Sequence, residues 1–471
     1  CERCSPMATQ DANYIGGEWV ESATGATFAV TNPASVDEIV SYHPASTSAD
    51  VEDAIDAAVA AQHEWAHTPG PSRGAVLRET GELLAARKGE ATETLVREEG
   101  KTRSEAAGEV QRAVDIFYYY AEKSRDLGGV VKAASASEQE LYTKREPLGT
   151  VALITPWNYP IAIPAWKLAP ALAAGNTVVL KPASEAPNSS RILLECLDEA
   201  GLPKGVANLV TGSGSEVGAP LTESDHIDGL SFTGSTGVGT AVAQAAAEDL
   251  TRVQCEMGGK NPTIVMPSAD VEQAADLVGV GAFGTTGQSC TATSRAIVHE
   301  AVYDEFVDAI TGYAESLEVG SGLEDPDMGP HVSDGELAST LEYVTIGQDE
   351  GATLETGGNR LTDDDYEDGN YVAPTVFVDV KNDMRIAQEE IFGPVLAVIE
   401  ARDFEDAIST ANDVDFGLAA SIVTQNLSEA NRFVDEIDAG VAKVNDKTTG
   451  LELHVPFGGY KGSSTNTYRE Q

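Results

Sequence analysis

The sequence predicts an α/β fold built on parallel sheet, and three observations carry that expectation. Short apolar, β-rich runs (Thr150 to Ile154, Thr177 to Leu180, Ala207 to Val210, Gly229 to Phe232) alternate with helical stretches, the pattern of βαβ units. The alternation restarts after Asn261, with Thr263-Ile264-Val265-Met266 and then a helix from Val271. A chain of 471 residues also has the length for two or three domains. A domain boundary is therefore expected near Gly258-Gly259.

Taken in order, Asn13 to Trp19 reads as a strand and turn opening the fold. Val51, Ala54, Ile55, Ala58 and Val59 recur at helical spacing behind Thr47 and Ser48, either of which suits an N-cap. A second helical stretch covers Arg73 to Arg87. Glu138 to Arg145 alternates polar and apolar residues, which predicts exposed strands. No apolar run reaches membrane-span length and the N-terminus has no signal-peptide pattern, so a soluble, cytoplasmic protein is expected. Met7 reads as the natural start, with Cys1 to Pro6 upstream of it.

Lys and Arg number 30 against 76 Asp and Glu, a formal net charge of −46 and a pI near 4.3. The acids are spread along the chain (Asp50-Val51-Glu52-Asp53, Asp363-Asp364-Asp365) rather than gathered into a tail. Self-repulsion of this size destabilises a compact state at low ionic strength, whereas molar salt screens it within about 3 Å. The composition therefore predicts a halophilic protein working in a salt-rich interior. Nucleic acids and anionic membranes are poor partners for a surface of this charge, and neither is expected.

Five cysteines (Cys1, Cys4, Cys196, Cys255 and Cys290) are too sparse for a disulfide framework and fit a reducing compartment. A single Cys1-Glu2-Arg3-Cys4 with no second pair does not predict zinc. Cys196 on an apolar helix face and Cys255 within a strand fit buried, inert thiols. Cys290 differs: it ends the small-residue run Gly284-Thr285-Thr286-Gly287-Gln288-Ser289, a loop that lets a substrate reach sulfur. Glu256, upstream in Glu256-Met257-Gly258-Gly259-Lys260, supplies a proton acceptor for covalent chemistry on a carbonyl.

Other segments lie just past strands, where open α/β sheets bind ligands. Asn158, in Thr155-Pro156-Trp157-Asn158-Tyr159-Pro160, carries an amide suited to a developing oxyanion, as does the Cys290 N–H. Alone, an asparagine between aromatics and prolines is more often a turn residue. Lys181-Pro182-Ala183-Ser184 offers a cation and a hydroxyl for a ribose, or is simply a proline turn. Gly234-Ser235-Thr236-Gly237-Val238-Gly239 joins a strand to an alanine-rich helix and exposes N–H groups to a phosphate. Its spacing is not GxGxxG, so a plain tight turn stands beside that reading. Gly212-Ser213-Gly214 is a weaker case. His63-Glu64-Trp65-Ala66-His67 matches HExxH, but Thr68-Pro69-Gly70-Pro71 ends the helix at once and no third ligand follows. It reads as a chance match, and no metal is expected.

Eight landmarks in order make the chain resemble the aldehyde dehydrogenase superfamily over essentially its whole length: Pro156-Trp157-Asn158, Trp166-Lys167, Lys181-Pro182-Ala183-Ser184, Phe232-Thr233-Gly234-Ser235, Glu256 to Lys260, Gly287 to Cys290, Glu390-Ile391-Phe392-Gly393-Pro394 and Pro456-Phe457-Gly458-Gly459. The resemblance implies a Rossmann-like cofactor domain (1–125 and 148–258), an α/β catalytic domain (259–446) and a small β oligomerisation element (126–147 and 447–471). It further implies Cys290 as nucleophile, Asn158 as oxyanion donor, Glu256 as activator of the hydrolytic water and Lys167 as support for the network near Asn158. Thr155, Trp157, Lys181, Ser184, Gly214, Gly234, Ser235 and Met257 would contact the cofactor, with Glu390 and Phe392 on the nicotinamide riboside.

Many NAD-preferring relatives carry glutamate where this chain has Ser184. The serine leaves room for a 2′-phosphate, so NADP is the expected cofactor, with NAD possible. Lys447 to His454 and Ser463 to Gln471 resemble the branch acting on α-ketoglutaric semialdehyde, which finishes pentose or hexuronate oxidation at 2-oxoglutarate. Glu256 argues against a CoA-acylating relative, and no Cys–His pairing suggests a cysteine hydrolase. Relatives usually continue past this C-terminus into an intersubunit strand. A homodimer is therefore expected more strongly than a homotetramer.

Overall fold

The computed structural model describes residues 9–363 and 366–465. Cys1, Cys4, the expected start at Met7 and the terminal residues 466–471 lie outside that range.

Two seven-stranded sheets organise the chain. The first runs Arg252–Glu256, Gly229–Thr233, Thr150–Ile154, Thr177–Lys181, Ala207–Leu209, Asn13–Ile15, Glu18–Val20. Its first five strands are parallel, and the hairpin Asn13–Val20 adds an antiparallel edge. Thr150–Ile154, Thr177–Lys181 and Ala207–Leu209 are buried at every residue, which is why they read as continuous apolar runs without alternation.

The order of these strands locates a crevice. From Thr150–Ile154 the chain steps outward through Thr177–Lys181 and Ala207–Leu209. It then returns to lay Gly229–Thr233 on the other flank of Thr150–Ile154. The direction of winding reverses between those two strands, so a ligand cleft opens beyond their carboxyl ends. Thr155 to Asn158 and Gly234-Ser235 form its two lips.

The second sheet runs Thr353–Thr356, Thr375–Val378, Val395–Ala401, Thr293–His299, Asn261–Val265, Ala419–Val423, Val441–Val444, all parallel except the first. Glu256 ends a strand of the first sheet and Asn261 begins one of the second. The chain thus crosses between sheets in the four residues Met257 to Lys260, and whatever flanks Gly258-Gly259 sits at the junction.

Helices form where the spacing predicts them, with longer ends. The first spans Ser48–His67; the Asp50 carboxylate takes the N–H and hydroxyl of its cap Thr47 at 2.8 and 3.2 Å. The second spans Gly70–Ala86, starting ahead of Arg73 because Pro71 suits a first helical turn. The expected strands over Glu138 to Arg145 shrink to Leu141–Tyr142, paired with Val131–Lys132 and exposed. Among the described residues no helix is long and apolar enough to cross a membrane.

Candidate active site

The loop before Cys290 is forced into shape. Thr285, Thr286 and Gly287 all have left-handed backbone, with φ of 52°, 56° and 68°. The two threonines bear strain that their packing holds in place. A Cβ on Gly287 would lie 2.2 Å from the Gly393 carbonyl oxygen and 2.7 Å from the Pro394 nitrogen, so only glycine fits. Gln288 is pinned from both ends. Its carbonyl accepts from Asn158 Nδ2 at 3.0 Å, and its Oε1 accepts from the Val332 N–H at 3.0 Å and His331 Nδ1 at 3.1 Å. Burial lowers the His331 pKa to about 3, so this imidazole is a neutral donor.

Residues 285–289 are buried, whereas Cys290 is partly exposed. Cys196 and Cys255 are buried, and burial pushes both thiols up to about 11. Beneath Cys290, Asn261 Nδ2 holds the Cys290 and Ala292 carbonyls at 2.8 Å each. Gly259 passes so close that a Cβ there would come within 2.6 Å of the Cys290 carbonyl oxygen. The crossing that follows Glu256 is thereby pressed against the Cys290 loop.

Asn158 is 2% exposed, and a buried cation holds its backbone. Lys101 Nζ donates to the Asn158 carbonyl at 2.8 Å and to Glu109 Oε2 at 2.7 Å, and lies 4.5 Å from the Tyr159 ring centroid. Glu109 Oε1 accepts the Ile161 and Ala162 N–H groups at 3.0 Å each. Tyr159 Oη reaches Ser289 Oγ at 3.4 Å, linking this turn to the residue before the thiol. The Asn158 amide oxygen is buried without a hydrogen-bond partner. Such a group marks a site built for a further polar contact.

The Lys167 ammonium donates to Ser231 Oγ at 2.7 Å, and a chain of bonds leads from there through Gln254 to Glu256, while Lys101 holds the Asn158 backbone. Lys101, Glu109, Ser231, Gln254 and His331 were all missed from the sequence.

On the far side of the junction, Trp157 and Phe392 meet edge to face with centroids 5.3 Å apart. Phe392 is itself left-handed, with φ 59°. Half-buried Glu390 accepts the Gly259 N–H at 3.1 Å; desolvation raises its pKa to about 7, opposed by that bond and by Lys260. Glu390 and Phe392 line one cavity with Ser289, the residue before the thiol. A partly accessible thiol, a carboxylate at the sheet junction and a switch-point cleft suit redox chemistry on a carbonyl.

The model of the aldehyde dehydrogenase family matches residues 19–471. The chain belongs to that family. It is 61% identical over 465 residues to the alpha-ketoglutarate semialdehyde dehydrogenase of Haloferax volcanii, covering 99% of this chain and 96% of that one. Among solved structures it is similar to 3,6-anhydro-L-galactose dehydrogenase in complex with NADP, with TM-score 0.94, 39% identity and coverage of 97% and 95%. It is also similar to the NAD+ complex of betaine aldehyde dehydrogenase from Staphylococcus aureus, with TM-score 0.95, 34% identity and coverage of 97% and 91%.

The aldehyde dehydrogenase cleft fits a nicotinamide dinucleotide. Ser235 caps the helix Thr236–Glu248, turning its N-terminal N–H groups toward the lips of the cleft. Thr155 Oγ1 and Thr236 Oγ1 are buried there without hydrogen-bond partners. A side chain at Gly234 would strike the Phe232 ring at 2.6 Å, whereas Gly214, which opens the turn Gly214–Gly218, has open space beside it. Ser184 Oγ donates to the Gly212 carbonyl at 3.2 Å, and Lys181 Nζ to the Pro182 carbonyl at 3.0 Å. Burial lowers the Lys181 pKa to about 8, against the opposing pull of Glu185. The Met257 side chain packs against Gly239, in the helix that Ser235 caps.

Arg295 is locked in structure and offers nothing to a substrate. It is 0% exposed and donates to the carbonyls of Lys260, Thr410 and Ala411 at 3.1, 3.1 and 2.9 Å. His63 and His67 stack on each other at 4.3 Å, and among the described residues no cluster of His, Cys, Asp or Glu could hold a metal.

The Gly287 geometry makes a direct prediction. Gly287→Ala adds a Cβ against fixed backbone and displaces Cys290. Turnover per titrated thiol should fall by about 100-fold, the cost of an ångström-scale misplacement. Stability should fall by about 1–3 kcal/mol. Wild-type turnover in this variant would show that the loop is softer than its packing implies.

Proposed function

We propose that this dehydrogenase oxidises α-ketoglutaric semialdehyde to 2-oxoglutarate, with NADP preferred over NAD, in a salt-rich cytoplasm and as a homo-oligomer. The 61% identity to the Haloferax enzyme of that name, across nearly both full lengths, is the observation that carries the substrate. The charge of −46 supports the salt-rich setting.

The Cys290 thiolate adds to the aldehyde carbon, and the oxyanion takes hydrogen bonds from the Asn158 amide and the Cys290 N–H. Loss of hydride from the resulting thiohemiacetal leaves a Cys290 thioester, and a nicotinamide dinucleotide held in the cleft would supply the hydride acceptor. Glu256 removes a proton from water as its oxygen bonds to the acyl carbon. The carbon–sulfur bond breaks, releasing the carboxylic acid and restoring the thiolate. Trp157, Phe392 and Glu390 would hold the nicotinamide end, and the N-terminus of Thr236–Glu248 would take the pyrophosphate.

Ser184 beside Lys181 supports the NADP preference. A 2′-phosphate there would favour the charged form of Lys181, whereas a glutamate would repel it. Ser184→Glu should lower kcat/KM for NADP relative to NAD by at least about tenfold.

The test follows reduced-cofactor formation in molar KCl with several aldehydes, NADP and NAD, without and with CoA. Fastest CoA-independent turnover of α-ketoglutaric semialdehyde with NADP is expected. A faster alternative aldehyde, or an NAD preference, would refute the corresponding part. Dependence on CoA would refute hydrolysis through Glu256.

A further inference from the structure

Strand register puts a hydrogen-bonded chain beneath Glu256. In the parallel pairing of Gly229–Thr233 with Arg252–Glu256, Ser231 lies opposite Gln254 and Thr233 opposite Glu256. Residues two apart share a face, so Gln254 and Glu256 point to one side of the sheet. Cys255 points to the other, where its Sγ lies 3.5 Å from the Gly239 carbonyl. The helix Ala162–Ala174 brings Lys167 to the first face. Lys167 Nζ donates to Ser231 Oγ (2.7 Å), Ser231 Oγ to Gln254 Oε1 (2.8 Å), and Gln254 Nε2 to Glu256 Oε1 (3.0 Å).

We infer that Gln254 and Ser231 are positioning residues for hydrolysis of the Cys290 thioester, orienting the Glu256 carboxylate through this chain. The inference rests on Glu256 as the water-activating base. Every donor in the chain points the same way, from the Lys167 ammonium to the Glu256 carboxylate. The bond from Gln254 to Glu256 Oε1 favours the ionised carboxylate, which is the form that removes a proton from water. The chain does not pass the proton onward, because the Gln254 amide keeps both hydrogens on nitrogen. Its work is to fix one carboxylate oxygen and bias its charge, and polarised chains of this kind strengthen along their length. Gln254 is half-buried at an edge strand, so the bond is shielded from water without being inaccessible to substitution.

Gln254→Met keeps the side-chain length and removes both the donor and the acceptor. Rapid mixing with aldehyde and cofactor should give a stoichiometric burst of reduced cofactor at near wild-type rate. A steady state about tenfold slower than wild type should follow, within the range a positioned base contributes. Ser231→Ala, the milder variant, should show the same split with a smaller loss. The acid limb of the pH–turnover profile should move upward in both. In a Glu256→Gln background, Gln254→Met should cost nothing further.

Equal losses in burst and steady state would overturn the inference, as would no loss at all. The same tenfold cost in the Glu256→Gln background would overturn it too, since that cost would be structural. If Glu256→Gln itself leaves thioester hydrolysis unchanged, the base assignment falls and this inference with it. If Glu256→Gln blocks hydrolysis while Gln254→Met does not, only the inference falls.

Discussion

Cys290→Ser will lower turnover by about 10⁴-fold or more, the scale on which enzymes lose rate when their nucleophile is removed. A carboxylate base cannot hold a serine hydroxyl as alkoxide, and a hydroxyl is far less nucleophilic than a thiolate. Binding of cofactor should be unchanged, because no cofactor contact argued above uses the Cys290 side chain. Chemical labelling offers an independent check. With burial holding the thiols of Cys196 and Cys255 near pKa 11, only about one molecule in a thousand carries either thiolate at pH 8. In a Cys1→Ser, Cys4→Ser background, one equivalent of iodoacetamide should therefore remove all activity, with the label on Cys290. Residual turnover near wild type in Cys290→Ser, or inactivation that tracks label on Cys196 or Cys255, would place the chemistry elsewhere.

What separates Cys290 from the other two cysteines was legible in the sequence, and the reason is local. Gly284, Gly287 and Ser289 permit a strained, tightly packed loop, and small-residue runs announce such loops wherever they occur. The strand-end positions of Thr155, Trp157, Gly234 and Lys181 were legible for a similar reason, since fully buried parallel strands leave continuous apolar runs whose ends are easy to find.

The supporting shell was not legible, because its partners are far apart in sequence. Glu109 meets residues some fifty positions later, and Gln288 is fixed by Asn158 from 130 positions away. One local signal did exist. The helix Lys88–Glu99 buries Ala91, Leu95 and Val96, and Glu98 and Glu99 continue that same buried face. Charged residues on an apolar stripe predict built partners. Glu98 indeed takes the Asn188 and Ser189 N–H groups at 2.7 and 2.9 Å, at the start of the helix Pro187–Glu199. Arg295 shows the same distance at work: close to Cys290 in sequence, it turns its side chain back to tie Lys260 to Ala411.

The second large effect is expected at Lys101. Burial opposes its charge, and Glu109 and Glu99 more than offset that opposition, holding its pKa above the ordinary lysine range. Lys101→Met leaves the Glu109 and Glu99 carboxylates buried without their cation, a change that costs about 3–5 kcal/mol when one member of a buried pair is removed. It also releases the Asn158 carbonyl and the Tyr159 ring. With Asn158 as the oxyanion donor, kcat should fall by about 10²–10³, as it does when such a donor is lost. The two effects are separable. Adding Glu109→Gln to Lys101→Met removes one stranded carboxylate and should recover part of the stability, measured as the urea midpoint in molar KCl. It should recover none of the turnover, because no cation then holds Asn158 against the Gln288 carbonyl. Recovery of turnover alongside stability would mean that Lys101 serves the fold alone and that Asn158 keeps its place without it.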